Sequence, residues 1–115
     1  MMFADGSMPR LRAQVWVDAY IRRCRAAGAY VSISRRGDES AGAVFIECLH
    51  ADGVDLYGPR MREDGARAFE RILERVPGFE VAERIEREAK FDSDLWLVTV
   101  EDREGRVFLM DDEVG

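Results

Sequence analysis

The chain has 115 residues, of which 47% are hydrophobic and 35% charged, with a formal net charge of −6. That length and apolar content support one domain with its own core and exclude an intrinsically disordered chain. Apolar runs stop at about five residues, against the ~20 that a membrane span requires, and the acidic balance disfavours nucleic acid and anionic membranes as partners.

The start, Met1 to Ser7, has neither a basic region nor a long apolar stretch, so no secretory signal is expected and the predicted location is the cytoplasm. Residues 1–8 read as a disordered leader and residues 9–110 as a single domain. Pro9 suits the first turn of a helix. Ala13, Trp16, Val17, Tyr20, Cys24 and Ala27 then recur at helical spacing, with Asp18, Arg22 and Arg25 on the opposite face. This predicts a helix over 10–27, ended by Gly28 in the left-handed position. From Ala29 to Ser34 the period changes to two, with Val31 and Ile33 on one side and Tyr30, Ser32 and Ser34 on the other, a strand with one covered face.

Residues 35–42 form a polar connection. Ala43 to Leu49 is apolar on both faces apart from Glu47, which predicts a central strand. Ala51-Asp52-Gly53 is a hairpin signal leading to a third strand over 54–61, which Gly58-Pro59 marks for a bulge or an edge. Residues 66–75 are open from pattern alone. Phe69, Ile72, Leu73 and Val76 fit a helix, whereas Phe69 and Leu73 behind an Asp-Gly turn fit a strand. A second helix is predicted over 79–91 with Phe79, Ala82, Ile85 and Ala89 inward. Glu80–Arg84, Glu83–Arg87 and Glu86–Lys90 pair along its solvated face. A strand over 95–100, a hairpin partner over 106–110 and a frayed acidic tail over 111–115 complete the chain. The predicted fold is α+β: a mainly antiparallel sheet of about five to six strands with two helices packed on one face.

The blocks Leu11-Arg12-Ala13 with Trp16-Val17, Arg36-Gly37-Asp38 with Ala41-Gly42-Ala43-Val44, and Phe91-Asp92, Asp94-Leu95-Trp96 and Glu101-Asp102 resemble a family of small uncharacterised proteins. That family, mostly alphaproteobacterial, is classed as a domain of unknown function. The resemblance spans about residues 10–109. It implies a short cytosolic single-domain protein with no assigned activity, and it moves the expectation for residues 66–73 to a strand.

Chemistry is thin. A metal-dependent nuclease or other small hydrolase would use Asp38 and Glu47, but no lysine stands two places after Glu47, and Lys90 is the only lysine in the chain. Asp92 and Asp94 are separated from Glu101 and Asp102 by a strand ~20 Å long, so the two acid pairs cannot share one ion. Asp92-Ser93-Asp94 reads as a side-chain-capped turn. No metal or cofactor is expected. The loop Gly37–Gly42, flanked by Arg35 and Arg36, feeds a strand rather than the helix N-terminus usual for a phosphate site. Cys24 and Cys48 read as buried thiols, and His50 as a turn residue rather than the base of a thiol enzyme.

Charge is uneven. Residues 1–37 carry seven arginines against Asp5 and Asp18, a net of +5, whereas residues 38–115 carry a net of −11. Arg12, Arg22, Arg23, Arg25, Arg35 and Arg36 therefore define a weak nucleic-acid alternative. Trp16, Tyr20, Phe45 and Phe91 read as core, and Trp96 as either core or a partner contact. The leading expectation is a non-enzymatic interaction or adaptor domain that binds protein and self-associates through a sheet edge or helix face. Its candidate surface comprises Arg22, Arg25, Arg35, Arg36, Asp38, Glu47 and Trp96.

Overall fold

The computed structural model describes residues 11–114; the predicted leader, residues 1–8, lies outside them. The elements run α1 (Ala13–Ala26), β1 (Tyr30–Arg35), β2 (Val44–His50), β3 (Gly53–Arg60), β4 (Ala68–Val76), α2 (Gly78–Ala89), β5 (Trp96–Glu101) and a short 3-10 turn (Asp111–Glu113). Among the described residues no helix is long and apolar enough to cross a membrane.

Helix α1 ends as its glycine requires. Gly28 has φ +88°, its N–H bonds to the Arg25 carbonyl, and the Ala29 N–H reaches back to the Cys24 carbonyl. This pair of bonds closes the helix and reverses the chain into β1.

The five strands form one sheet in the order β1-β5-β2-β3-β4. Neighbours are antiparallel except β2 and β5, which run parallel with Val44 opposite Trp96. Residues 68–76 are a strand, as the family resemblance implies. Residues 106–110 are not. They lack strand pairing, Phe108 has φ +58°, and the Tyr20 hydroxyl and Arg23 donate to the carbonyls of Val107 and Phe108. The segment is a strap along α1 rather than a hairpin arm.

The helices do not share a face. Trp96, Val98 and Val100 of β5 pack with Trp16, Val17, Tyr20 and Cys24 of α1. Leu97, between them in sequence, packs with Val81 and Ile85 of α2. Successive strand side chains point to opposite faces, so α1 and α2 cover opposite sides of the sheet. The reason lies in β2 and β5, which are apolar on both faces and need cover on both. Within α2 the buried side chains are Val81 and Ile85, whereas Phe79 and Ala82 face solvent. Phe91, read as core, is 91% exposed just past the helix. The four-residue ion pair found on α2 is Arg84 with Glu88, at 2.9 Å, rather than the Glu-first pairs.

Candidate functional site

Asp38 and Glu47 do not converge. The Asp38 carboxylate accepts from the backbone N–H groups of Ser40 and Ala41, at 3.0 and 2.9 Å, which makes it the closing residue of its own turn. Glu47 accepts from the Thr99 hydroxyl at 2.6 Å, and Thr99 is in turn bonded to Ser34. That chain crosses β2, β5 and β1 on the α2 side of the sheet. Asp92 closes the predicted turn by accepting from the Asp94 N–H at 3.0 Å. At the far end of β5, Asp102 accepts from the Arg106 backbone and guanidinium, bonds that hold its carboxyl below the ordinary value. Among the described residues no three His, Cys, Asp or Glu side chains stand where they could hold a metal ion.

The two blocks of sequence that carry the resemblance meet each other. The Trp96 indole N–H donates to the Asp38 carbonyl at 2.8 Å, and the Asp38 N–H donates to the Asp94 carbonyl at 2.9 Å. A β-carbon at Gly37 or Gly42 would fall 2.2 Å from that same Asp94 oxygen. The other side of the loop satisfies the N-terminus of α1: Ala13 and Gln14 N–H groups donate to the carbonyls of Ser40 and Glu39. A loop that presents carbonyls to a helix start is not an anion cradle. Trp96 is completely buried, which removes it from the candidate surface and places it in the core.

His50 and Asp55 form a buried pair that sequence reading missed, with Nε2 and Oδ1 at 3.0 Å. Nδ1 accepts from the Asp52 N–H, so Nε2 carries the proton and donates to Asp55. Both ring nitrogens are occupied, which leaves none to act as a base. Asp55 also accepts from the Arg75 backbone N–H at 2.8 Å. Burial alone would push its carboxyl up, but the His50 and Arg75 bonds prevail and hold it below the ordinary value. Arg75 has φ +53° and sits where β4 carries extra residues opposite β3, so the pair fastens an irregular strand. The sequence signal was an Asp within the apolar run Val54–Tyr57. Cys24 and Cys48 are buried, unpaired thiols. Burial first, then Asp55 and Asp102, push Cys48 up to about 12, so it stays protonated and unreactive.

The arginines are dispersed. Arg23 binds Glu113 at 2.8 Å, Arg36 lies 5.1 Å over the Trp96 ring, and Arg35 donates to the Ser93 carbonyl. Arg12 donates to the Ser40 hydroxyl. Arg22 and Arg25 are exposed and, among the described residues, enter no ion pair.

Among the described residues the fold leaves an edge open. Trp96 and Asp102 N–H groups point from β5 toward β2, to the carbonyls of Ala43 and Leu49. By alternation the N–H groups of Thr99 and Glu101 point toward β1, where they face Ser32 and Tyr30. The N–H and C=O of Val31 and Ile33 therefore point away from the sheet. Val31 and Ile33 side chains pack toward α1, and the exposed Tyr30, Ser32 and Ser34 lie on the other face. From Tyr30 to Ser34 the strand has no charge and no proline. The signal was present in sequence, as a strand lacking every usual edge guard, but it reads as such only when the strand is known to be at the edge.

The family described as "Protein of unknown function (DUF1491)" matches residues 11–110 of the chain. A crystal structure of a DUF1491 family protein from Caulobacter crescentus aligns with a TM-score of 0.79 at 31% identity, over 91% of this chain and 97% of that one. A solution structure of a protein from A. tumefaciens aligns with a TM-score of 0.78 at 39% identity, over 88% of this chain and 93% of that one. An NMR structure of a DUF1491 family protein from Caulobacter crescentus aligns with a TM-score of 0.78 at 34% identity, over 91% and 96%. No curated protein matches the chain.

Proposed function

We propose that this chain, which belongs to the DUF1491 family of proteins of unknown function, is a non-enzymatic protein-interaction module that takes an added strand on the free edge of β1. The observation that carries the reading is the outward-pointing N–H and C=O of Val31 and Ile33 on a strand free of charge and proline. Unpaired ladder groups on a flat edge supply affinity to an extended partner, and the alternate side chains supply selectivity. The dispersal of the arginines and the separate duties of Asp38 and Glu47 support this over the polyanion and hydrolase alternatives. The expected cellular setting is the cytoplasm.

Affinity capture from the native cells tests it with three baits: wild type, Val31→Pro and Glu70→Lys. Proline at 31 removes an N–H that β5 does not use, while lysine at 70 alters the opposite edge. Partners held by wild type and Glu70→Lys should be lost with Val31→Pro, whose fold is checked by near-ultraviolet circular dichroism of the buried tryptophans. Partners held equally by all three baits, or none held by any, overturn the reading.

A further inference from the structure

We infer that the strand added to β1 is the β1 of a second copy, paired antiparallel about a two-fold axis at Ser32. This rests on the edge being the binding site and names its occupant. In that register Val31 of one copy lies opposite Ile33 of the other, twice. These are the residues whose N–H and C=O point outward, so each pair closes both of its bonds. Tyr30 lies opposite Ser34, and Ser32 opposite itself. The sequence from Tyr30 to Ser34 is thus self-complementary: apolar faces apolar toward α1, and hydroxyl faces hydroxyl or phenol on the other side. No like charges stand directly opposite within the paired strands, and the interface is isologous, as a closed dimer requires.

Arg25, exposed, borders the same shallow depression as Ala29, Tyr30 and Val31, at the start of β1. A two-fold at Ser32 sets that end against the far end of the partner's β1, so the two Arg25 side chains stand apart rather than face to face.

Ser32→Cys tests the register directly. Its backbone bonds face β5, so position 32 meets its own copy as a non-hydrogen-bonded pair, with α-carbons about 4.5 Å apart, inside the span a disulfide bridges. Under mild oxidation the full chain carrying Ser32→Cys should convert almost completely to a covalent dimer, and Ser34→Cys should not; the native cysteines are buried and give no background. Ser32→Lys, which sets two ammonium groups face to face, should weaken dimerisation at least tenfold by sedimentation equilibrium. In wild type the Val31 and Ile33 amides should gain protection from hydrogen exchange as concentration rises. A wild type that sediments as a monomer at several hundred micromolar overturns the homodimer. So does a dimer that Ser32→Cys fails to link and Ser32→Lys leaves intact. Neither result touches strand addition by another protein, which the Val31→Pro capture decides on its own.

Discussion

The two edges of the sheet are managed in opposite ways. β4 carries Glu70, Arg71, Glu74 and Arg75 along its exposed positions, holds extra residues opposite β3, and is touched on its outer side by a bridge from Phe69 to Val114. Each of these blocks the addition of another strand. β1 has one irregularity, between Ile33 and Arg35, and its first four residues run regular and uncharged. One small domain thus guards one edge with three devices and leaves the other almost bare. The difference teaches that the bare edge is not an unavoidable consequence of the fold, since the same chain shows how an edge is closed.

The comparison breaks most severely where β1 loses its support. Among the described residues β5 is its only neighbour in the sheet, and Trp96 ties the start of β5 to the loop from Arg36 to Gly42. Trp96→Ala removes a completely buried side chain and a bond to the Asp38 carbonyl. It should cost about 3–5 kcal/mol, with exchange protection lost from β1 and β5 before β3 and β4. A urea midpoint within error of wild type would sink the claim that this contact holds the β1 side together. Gly37→Ala should act on the same joint more gently. Its β-carbon would meet backbone and the Trp96 ring at 2.2 and 2.5 Å, neither of which can swing away. A loss of about 1–3 kcal/mol is expected, and unchanged stability would mean that the loop is free to shift.

The guard on the β4 side can be loosened by acid. Val114 reaches Phe69 because Glu113 is held by Arg23, at 2.8 Å, by the Met110 N–H and by the Trp16 indole. Burial alone would push the Glu113 carboxyl up, but those bonds prevail and keep it below its usual 4.5. A depressed carboxylate contributes stability that is fully present above its unfolded value and is lost as pH falls through the folded one. Glu113→Gln should therefore cost about 1 kcal/mol at pH 7, and the gap to wild type should close between pH 4.5 and lower values. A gap independent of pH would remove the charge from the account. Within the acidic tail, Asp111–Glu113 forms a 3-10 turn in which the one Glu113 carboxylate serves three donors.

Local pattern carried most of the elements and little of their arrangement. The 3.6 period of Ala13 to Cys24, the alternation at Val31 and Ile33 and the glycine at 28 are local signals, and α1 and β1 follow them. Residues 68–76 needed the family resemblance, because their Glu- and Arg-rich composition favours helix until β3 supplies a neighbour. Helix layering was legible in principle: a strand such as Val44–Leu49, apolar on both faces, demands cover on both. On α2, Phe79 and Ala82 match the helical period as well as Val81 and Ile85 do, and only the sheet decides between them. The residues of the candidate surface do not lie together. Trp96, Arg36 and Asp38 are neighbours in one structural joint, and Glu47 lies on the other side of the sheet. Which strand lies at the edge depends on β5 inserting between β1 and β2 across more than forty residues of intervening chain, a contact no local pattern encodes.

The smallest energetic effect is expected where the comparison is most exposed to test. Glu70→Thr with Glu74→Thr on β4 strips two charges from exposed positions while leaving Arg71 beside Asp55, a contact of 3.7 Å. Surface changes of this kind shift stability by no more than about 0.5 kcal/mol. Glu74 does lose its ion pairs to Arg71 and Arg75, but exposed pairs contribute little. Association is where the outcome shows. If charge is the effective guard, the double variant should form larger species by light scattering, because each copy then offers an open edge at β4 as well as at β1, and two open edges propagate where one can only close a dimer. If the variant scatters like wild type, the guard is the irregular backbone at Arg75 and the strap ending at Val114. In that case the contrast between the edges is one of shape, and β1 is available because its backbone is straight rather than because it is uncharged.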